Sequence, residues 1–133
     1  MKRLILTLAI LALTAIAGWF FLVRKNAPQL IIVDEPKASA VIGSPFSFSG
    51  KARGNWYFEA NFPVKVFDAN GAELGVGIAQ AEGDWMTEDF VPFSGSVEFR
   101  APETPSGKVV FQKDNPSGLP EHDAAVEVPI RFE

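Results

Sequence analysis

The stretch Phe-Ser-Phe-Ser-Gly-Lys-Ala-Arg, residues 46–53, alternates between apolar or small residues at even positions and polar residues at odd positions. Successive side chains of a β-strand point to opposite faces, so this period of two predicts a strand with one buried and one solvated face. The same alternation returns near the C-terminus, where Val126, Val128, Ile130 and Phe132 share one face. A period of two, instead of the 3.6 of a helix, predicts an all-β domain.

Turn-forming sequences divide the chain after residue 28 into seven predicted strands. These cover residues 30–34, 46–53, 56–67, 73–81, 96–100, 108–113 and 125–132. The turn Asp68-Ala69-Asn70-Gly71 predicts a hairpin between the third and fourth strands, because Asn-Gly adopts positive φ at low cost. Seven short strands are typical of an immunoglobulin-like sandwich, with a small Greek-key barrel as the alternative. We predict no helix in this part of the chain.

The composition fits one domain with a short appendage. The chain has 133 residues and no cysteine, which excludes disulfides, cysteine-based zinc sites and thiol catalysis. Four of the 12 basic residues and none of the 16 acidic residues lie in residues 1–25, so the remainder carries eight basic against 16 acidic groups, a net charge of −8. Such a domain repels phosphates, so we expect no nucleic-acid partner.

An uncharged apolar run of 20 residues, Leu4–Val23, precedes the domain. As a helix it would span roughly 30 Å, the thickness of the hydrocarbon core of a bilayer. We therefore predict a signal anchor at residues 1–25, with its core at 4–23, a tether at 26–28 and the domain at 29–133. The lipid bilayer is then a partner of the chain through Leu4–Val23.

The N-terminal segment has a second interpretation as a cleavable signal peptide. Ala15-Ile16-Ala17 resembles a cleavage site, but cleavage there would leave the apolar residues 19–23 at a new N-terminus. The anchor interpretation is therefore favoured over secretion after cleavage. Because a short N-terminus carrying Lys2 and Arg3 stays in the cytoplasm most easily, we predict a single span with the domain outside the cytoplasm.

The acidic stretch at residues 82–89, Glu-Gly-Asp-Trp-Met-Thr-Glu-Asp, is the first candidate binding segment. Asp84, Glu88 and Asp89 offer oxygen ligands of the kind that Ca²⁺ prefers, although the spacing of a calcium loop is absent. Trp85 and Tyr57 could present aromatic surface to sugars or peptides. The alternation over 56–67 places Trp56, Phe58, Ala60 and Phe62 toward the core and Tyr57 away from it. We predict no resident metal and no cofactor.

A catalytic site is not predicted from the sequence. His122 lies between Glu121 and Asp123, but the Gly-x-Ser-x-Gly turn that activates a serine is missing, and triads assemble through the fold instead of through adjacent residues. His122 is therefore interpreted as a surface histidine. The expectation is that the protein is not an enzyme.

The exported part resembles the immunoglobulin-like domain of bacterial spore germination proteins, the second of the GerMN-associated domains. The matching segments, in chain order, are 31–33, 40–45, 48–54, 56–60, 68–71, 79–81, 83–86 and 113–118. The resemblance covers about residues 29–132. It implies an immunoglobulin-like β-sandwich and a role outside the cytoplasm, in the cell envelope, and it brings no catalytic residues.

These observations lead to one functional hypothesis and one alternative. The hypothesis is a membrane-anchored, non-catalytic interaction module of the bacterial cell envelope, whose partner is an envelope protein or glycan. The alternative is a calcium- or carbohydrate-binding envelope module that uses Tyr57, Asp84, Trp85, Glu88 and Asp89.

Overall fold

Eight β-strands and two single 3-10 turns build the domain in the computed structural model, which describes residues 29–133. The strands are β1 (Ile31–Glu35), β2 (Ala40–Ile42), β3 (Phe46–Arg53), β4 (Asn61–Asp68), β5 (Glu73–Ala81), β6 (Phe90–Val97), β7 (Ser106–Gln112) and β8 (Ala125–Phe132). The 3-10 turns are Gly54–Trp56 and Pro120–His122. This confirms the predicted all-β class. The predicted anchor and tether lie outside the described residues, and no helix within residues 29–133 could cross a bilayer.

The strands form one hydrogen-bonded ladder in the order β1-β3-β6-β5-β4-β7-β8-β2. All neighbours are antiparallel except β2 and β8, which are parallel. The two outermost strands, β1 and β2, are separated in the chain only by residues 36–39. Such a link spans at most about 18 Å, so the ladder must fold back until its two ends lie near each other.

The folded ladder has two layers, β1-β3-β6 and β5-β4-β7-β8-β2. Strand β5 pairs with β4 over most of its length and joins β6 only through Gln80 and Ala81. Aromatic rings from strands that are not neighbours meet between the layers. The ring centroids of Phe48 and Phe111 are 5.7 Å apart, and those of Phe62 and Phe93 are 5.0 Å apart. All four side chains are at most 1% exposed, and burying each one stabilises the fold by about 2–3 kcal/mol.

Three predicted strands, 46–53, 73–81 and 125–132, have the same bounds in the structure. The predicted hairpin is also confirmed. Gly71 has φ +82°, and its N–H donates to the carbonyl oxygen of Asp68 over 3.1 Å. The carboxylate of Asp68 accepts the N–H groups of Asn70 and Ala72, each over 3.0 Å, and so supplies the hydrogen bonds that close the turn.

The predicted strand over residues 56–67 is wrong in its first part. The N–H of Tyr57 donates to Gly54 in a 3-10 turn, and Glu59 and Ala60 have positive φ, so the chain reverses before β4 begins at Asn61. The alternation is therefore broken: Trp56 and Tyr57 are both buried, whereas Phe58 is 41% exposed. The apolar residues on both sides of the turn continue the alternating pattern across it, so the pattern alone does not reveal the turn.

The predicted strand over residues 96–100 is also wrong, since β6 covers Phe90–Val97. Its inward positions are Val91, Phe93, Gly95 and Val97, and a Cβ on Gly95 would lie 2.5 Å from the ring of Phe48. The missing side chain at 95 interrupts the apolar pattern. The short β2 was not predicted, so the strands number eight instead of seven. The bounds of β1 and β7 differ from the predicted ones by one or two residues.

Candidate functional site

Three loops meet at the end of the domain where the chain arrives from its N-terminus. We call this the proximal end; it contains residues 54–60, 82–89 and 113–124 beside Gln29 and Leu30. Backbone hydrogen bonds join these segments: Arg53 N to Leu30 O at 2.8 Å, Gly54 N to Asp89 O at 3.2 Å, and Asp114 N to Trp56 O at 3.0 Å. The predicted site segment at 82–89 therefore lies beside the other two loops.

The carboxylates of Asp84 and Asp89 accept hydrogen bonds from within the 82–89 loop and so stabilise it. Asp84 Oδ1 accepts the N–H of Met86 over 3.0 Å, and Asp89 Oδ2 accepts the Thr87 hydroxyl over 3.4 Å. The side chain of Glu88 is exposed, while its carbonyl oxygen accepts a hydrogen bond from the Arg53 guanidinium over 3.4 Å. These carboxylates are available to solvent, but internal hydrogen bonds already occupy two of them.

The 82–89 loop packs directly against the backbone of Gly54. A Cβ on Gly54 would overlap the carbonyl oxygens of both Trp85 and Thr87. Only glycine lets the two backbone segments approach so closely. Trp85 is partly buried and packs against the hydrophobic core, so part of its ring faces solvent and part anchors the loop.

Tyr57 does not belong to the surface of the proximal end, in contrast to the predicted outward orientation. It is 4% exposed, and its hydroxyl donates to the carbonyl oxygen of Val91 over 2.7 Å. Burial raises the pKa of Tyr57 to about 12, with a backbone hydrogen bond at Ala52 opposing the shift and the charge of Glu82 adding to it. Tyr57 is therefore a packing residue that joins the 54–60 loop to β6, and it offers no aromatic face to a ligand.

The proximal end is strongly acidic. Eight of the 16 carboxylates of the chain lie in its three loops: Glu59, Glu82, Asp84, Glu88, Asp89, Asp114, Glu121 and Asp123. Within the described part of the chain, no three acidic or histidine side chains converge into a group that could hold a metal ion. His122 is exposed, and its carbonyl oxygen accepts a hydrogen bond from the ammonium of Lys113 over 3.1 Å. The loops thus spread negative charge instead of focusing it on one point.

A second candidate surface lies along the flank of the domain and was not predicted. We define the flank face as the outward surface of β5, β4, β7 and β8, and its central residues are Pro63, Lys65, Val76, Ile78, Lys108 and Glu127. Val76 is 50% exposed and Ile78 is 46% exposed. The flanking charges are paired, with 3.5 Å between Lys65 and Glu73 and 2.8 Å between Lys108 and Glu127.

The alternation of β5 contained a signal for this surface. In residues 73–81 apolar side chains occupy both parities, since Leu74 and Ala79 are buried while Val76 and Ile78 are exposed. A strand with one solvated face would carry polar residues at those two positions. Which of the two alternating sets of side chains faces outward could be decided only from the pairing of β5 with β4 and β6.

Comparison with known proteins identifies the family of the chain. No curated protein and no solved structure matches it significantly. The family model described as the immunoglobulin-like domain of bacterial spore germination matches residues 30–119, which is more than half of the chain and includes β1 to β7. The chain therefore belongs to the family of immunoglobulin-like domains of bacterial spore germination.

Proposed function

We propose that this protein is a single-pass, membrane-anchored interaction module of the bacterial cell envelope, with its immunoglobulin-like domain outside the cytoplasm and no catalytic role. The proposal rests on where the domain begins relative to the apolar run. Leu30 is fixed at the proximal end by its hydrogen bond from Arg53, seven residues after the apolar run ends at Val23. Seven residues reach at most about 25 Å, so the proximal end would lie near the bilayer.

The charge of the proximal end indicates which surfaces are left for a partner. Its eight carboxylates would be repelled by anionic lipid headgroups, so we expect the loops to stand off the bilayer instead of inserting into it. The flank face, along the side of the domain, and the end opposite the proximal end would then be free of the membrane. An envelope protein or glycan could reach both.

Cysteine labelling in intact cells tests the anchor and the topology together, because the chain has no native cysteine. Ser117 is exposed at the proximal end, and Lys2 precedes the apolar run. In the full chain, we expect Ser117→Cys to react with a membrane-impermeant maleimide in intact cells. The control variant Lys2→Cys should react only after lysis, and alkaline carbonate should leave the chain in the membrane.

Three results would contradict the proposal. Protection of Ser117→Cys until lysis would place the domain in the cytoplasm. Release by carbonate would remove the anchor, and a mature chain lacking residue 2 would show that the segment is a cleaved signal peptide. Cross-linking and capture of the full chain then identifies the partner, with one dominant envelope protein as the expected result.

The alternative, a calcium- or carbohydrate-binding module, is supported by the solvent-accessible carboxylates of the 82–89 loop and by the exposed part of Trp85. It predicts a rise in melting temperature with Ca²⁺ or with cell-wall fragments that is lost in Asp84→Ala or Trp85→Ala. An unchanged melting temperature at millimolar Ca²⁺ and at high fragment concentration would count against it.

A further inference from the structure

We propose that the flank face is an interface between two copies of this chain held in the same membrane. The inference rests on the proposed membrane anchor, and it deepens that function by naming a partner. Its starting point is the pair Val76 and Ile78, two branched apolar side chains that are about half exposed on neighbouring outward positions of β5.

The core does not require apolar residues at these positions. The inward positions of this part of β5 are Gly75, Gly77 and Ala79, and the backbone of residues 96–99 approaches the two glycines closely. A Cβ on Gly75 would overlap the carbonyl oxygen of Glu98, and one on Gly77 would lie 2.6 Å from that of Ser96. With no room for inward side chains, all of the apolar surface of residues 75–78 is directed outward.

The outward face of β3, in the opposite layer, follows the ordinary rule. The outward positions of β3 are Ser47, Ser49, Lys51 and Arg53, which are all polar or charged. The outward positions of β6 are Phe90, Pro92, Ser94 and Ser96. The two serines pair with Ser49 and Ser47, and the guanidinium of Arg53 lies 3.9 Å from the centre of the Phe90 ring, so a cation covers that ring. An exposed apolar pair on a strand favours association. Of the two faces, the flank face is therefore the one that favours contact with another protein surface.

The charge of the flank face favours a second copy over other partners. The domain carries a net charge of −8, so two copies repel each other when their acidic surfaces meet. On the flank face Lys65 and Lys108 are paired with Glu73 and Glu127, and the exposed Arg131 adds one positive charge. The face thus carries none of the net negative charge of the domain, and two copies that meet there keep the eight carboxylates of each proximal end apart.

The size of the face predicts how strong the association is. Four strands spaced about 4.8 Å apart and three rows of outward residues cover about 400 Å² in each copy. The total of about 800 Å² is below the 1,200 Å² of a stable interface, so the free domain would stay monomeric at ordinary concentration. Anchoring both copies in one bilayer raises their effective concentration, and the spacing of Thr14 and Gly18 also favours association of apolar segments.

Cross-linking of single-cysteine variants of the full chain tests the interface. The purified chain is reconstituted in phosphatidylcholine vesicles and treated with a bismaleimide, whose spacer tolerates an offset of the two thiols from a two-fold axis. Val76→Cys is the test variant. Ser47→Cys is the control, because Ser47 is exposed on the outward face of β3 in the opposite layer. We expect Val76→Cys to form dimers at least tenfold faster than Ser47→Cys.

A second substitution on the same face distinguishes a specific interface from random collision. Ile78→Glu added to Val76→Cys places a like charge in both copies, so dimer formation should fall to the rate of the control. Because Ile78 is half exposed, this change should leave the melting temperature of the chain nearly unchanged.

The outcomes separate the two proposals. Equal rates for Val76→Cys and Ser47→Cys, or no effect of Ile78→Glu, would overturn the interface while leaving the anchor intact. Release of the chain from the vesicles by carbonate would overturn the anchor. A dimer of Val76→Cys that persists at the same rate in the released chain would show that the face associates without a membrane, which contradicts the weak, membrane-dependent interface proposed here.

Discussion

The hydroxyl of Tyr57 donates a hydrogen bond of 2.7 Å to the carbonyl oxygen of Val91 and thereby joins the loop after β3 to β6. Both residues are buried, with Tyr57 4% exposed and Val91 also 4% exposed. The ring of Tyr57 also packs against Phe62, with 5.2 Å between the ring centroids. One side chain thus fixes the geometry of a turn that the alternation of the sequence had assigned to a strand.

Removing this hydroxyl should destabilise the domain without unfolding it. Tyr57→Phe keeps the packing against Phe62 but leaves the carbonyl of Val91 without this donor. We expect the free energy of unfolding at neutral pH to fall by about 1–2 kcal/mol in urea denaturation. A change below a few tenths of a kcal/mol would show that water replaces the hydroxyl.

The same residue predicts a pH dependence at alkaline pH. The pKa of Tyr57 is about 12 in the folded chain and 10.0 for a solvated tyrosine, so between these values the unfolded chain releases the proton and the folded chain retains it. The contribution of Tyr57 to the free energy of unfolding should therefore be constant below about pH 10, fall by up to about 2–3 kcal/mol as the pH rises to 12, and then level off.

Two measurements check this prediction. Tyr57 is the single tyrosine of the chain, so the absorbance of tyrosinate reports its titration directly. The second is urea denaturation across the same pH window, with Tyr57→Phe as the control that should lose this part of the slope. A midpoint near 10 in the folded chain would mean that the hydroxyl is solvated.

Gly54 should be intolerant of any side chain. Gly54→Ala places a methyl group against the carbonyl oxygens of Trp85 and Thr87, so the 82–89 loop must move away from residue 54. We expect a loss of about 2–4 kcal/mol in the free energy of unfolding. Gly83→Ala is the matched control within the same loop, because a Cβ there meets nothing within 4 Å, and it should change stability by less than about 0.5 kcal/mol.

The aromatic centre of the core should dominate stability. Phe93 is 1% exposed and its ring lies within 6.4 Å, between centroids, of Phe48, Phe62 and Phe111 from the other strands. Phe93→Ala should cost about 3–5 kcal/mol in the free energy of unfolding. Phe58→Ala removes the same atoms from a side chain that is 41% exposed, and should cost less than about 1.5 kcal/mol. Similar losses in both variants would contradict the described packing.

Much of the fold could be predicted because it depends on local chain properties. The strict alternation of residues 46–53 and 125–132 identifies strands wherever they pair, since side chains alternate along any strand. The Asp68–Gly71 hairpin depends on the positive φ of Gly71 and on a carboxylate that accepts hydrogen bonds two and four residues away. Neither feature needs information from distant parts of the chain.

The candidate site was less accessible to sequence reasoning. The sequence placed the acidic residues of the 82–89 loop together because they are neighbours in the chain. It gave Tyr57 the wrong orientation, because the turn at Glu59 and Ala60 and the hydrogen bond to Val91 join residues that are 34 positions apart. The exposed pair Val76 and Ile78 was interpreted as ordinary strand sequence, since both parities of β5 carry apolar residues.

By itself, then, the sequence determined the all-β class, the bounds of three strands, the hairpin and the absence of cysteine chemistry. Each of these follows from residue types and from spacing along the chain. The tertiary structure alone decided that Gly75 and Gly77 of β5 lie against the backbone of residues 96–99, and that Val76 and Ile78 consequently face solvent. The physical reason is that the outward parity of a strand is fixed by the backbones packed beside it, and those backbones come from distant residues.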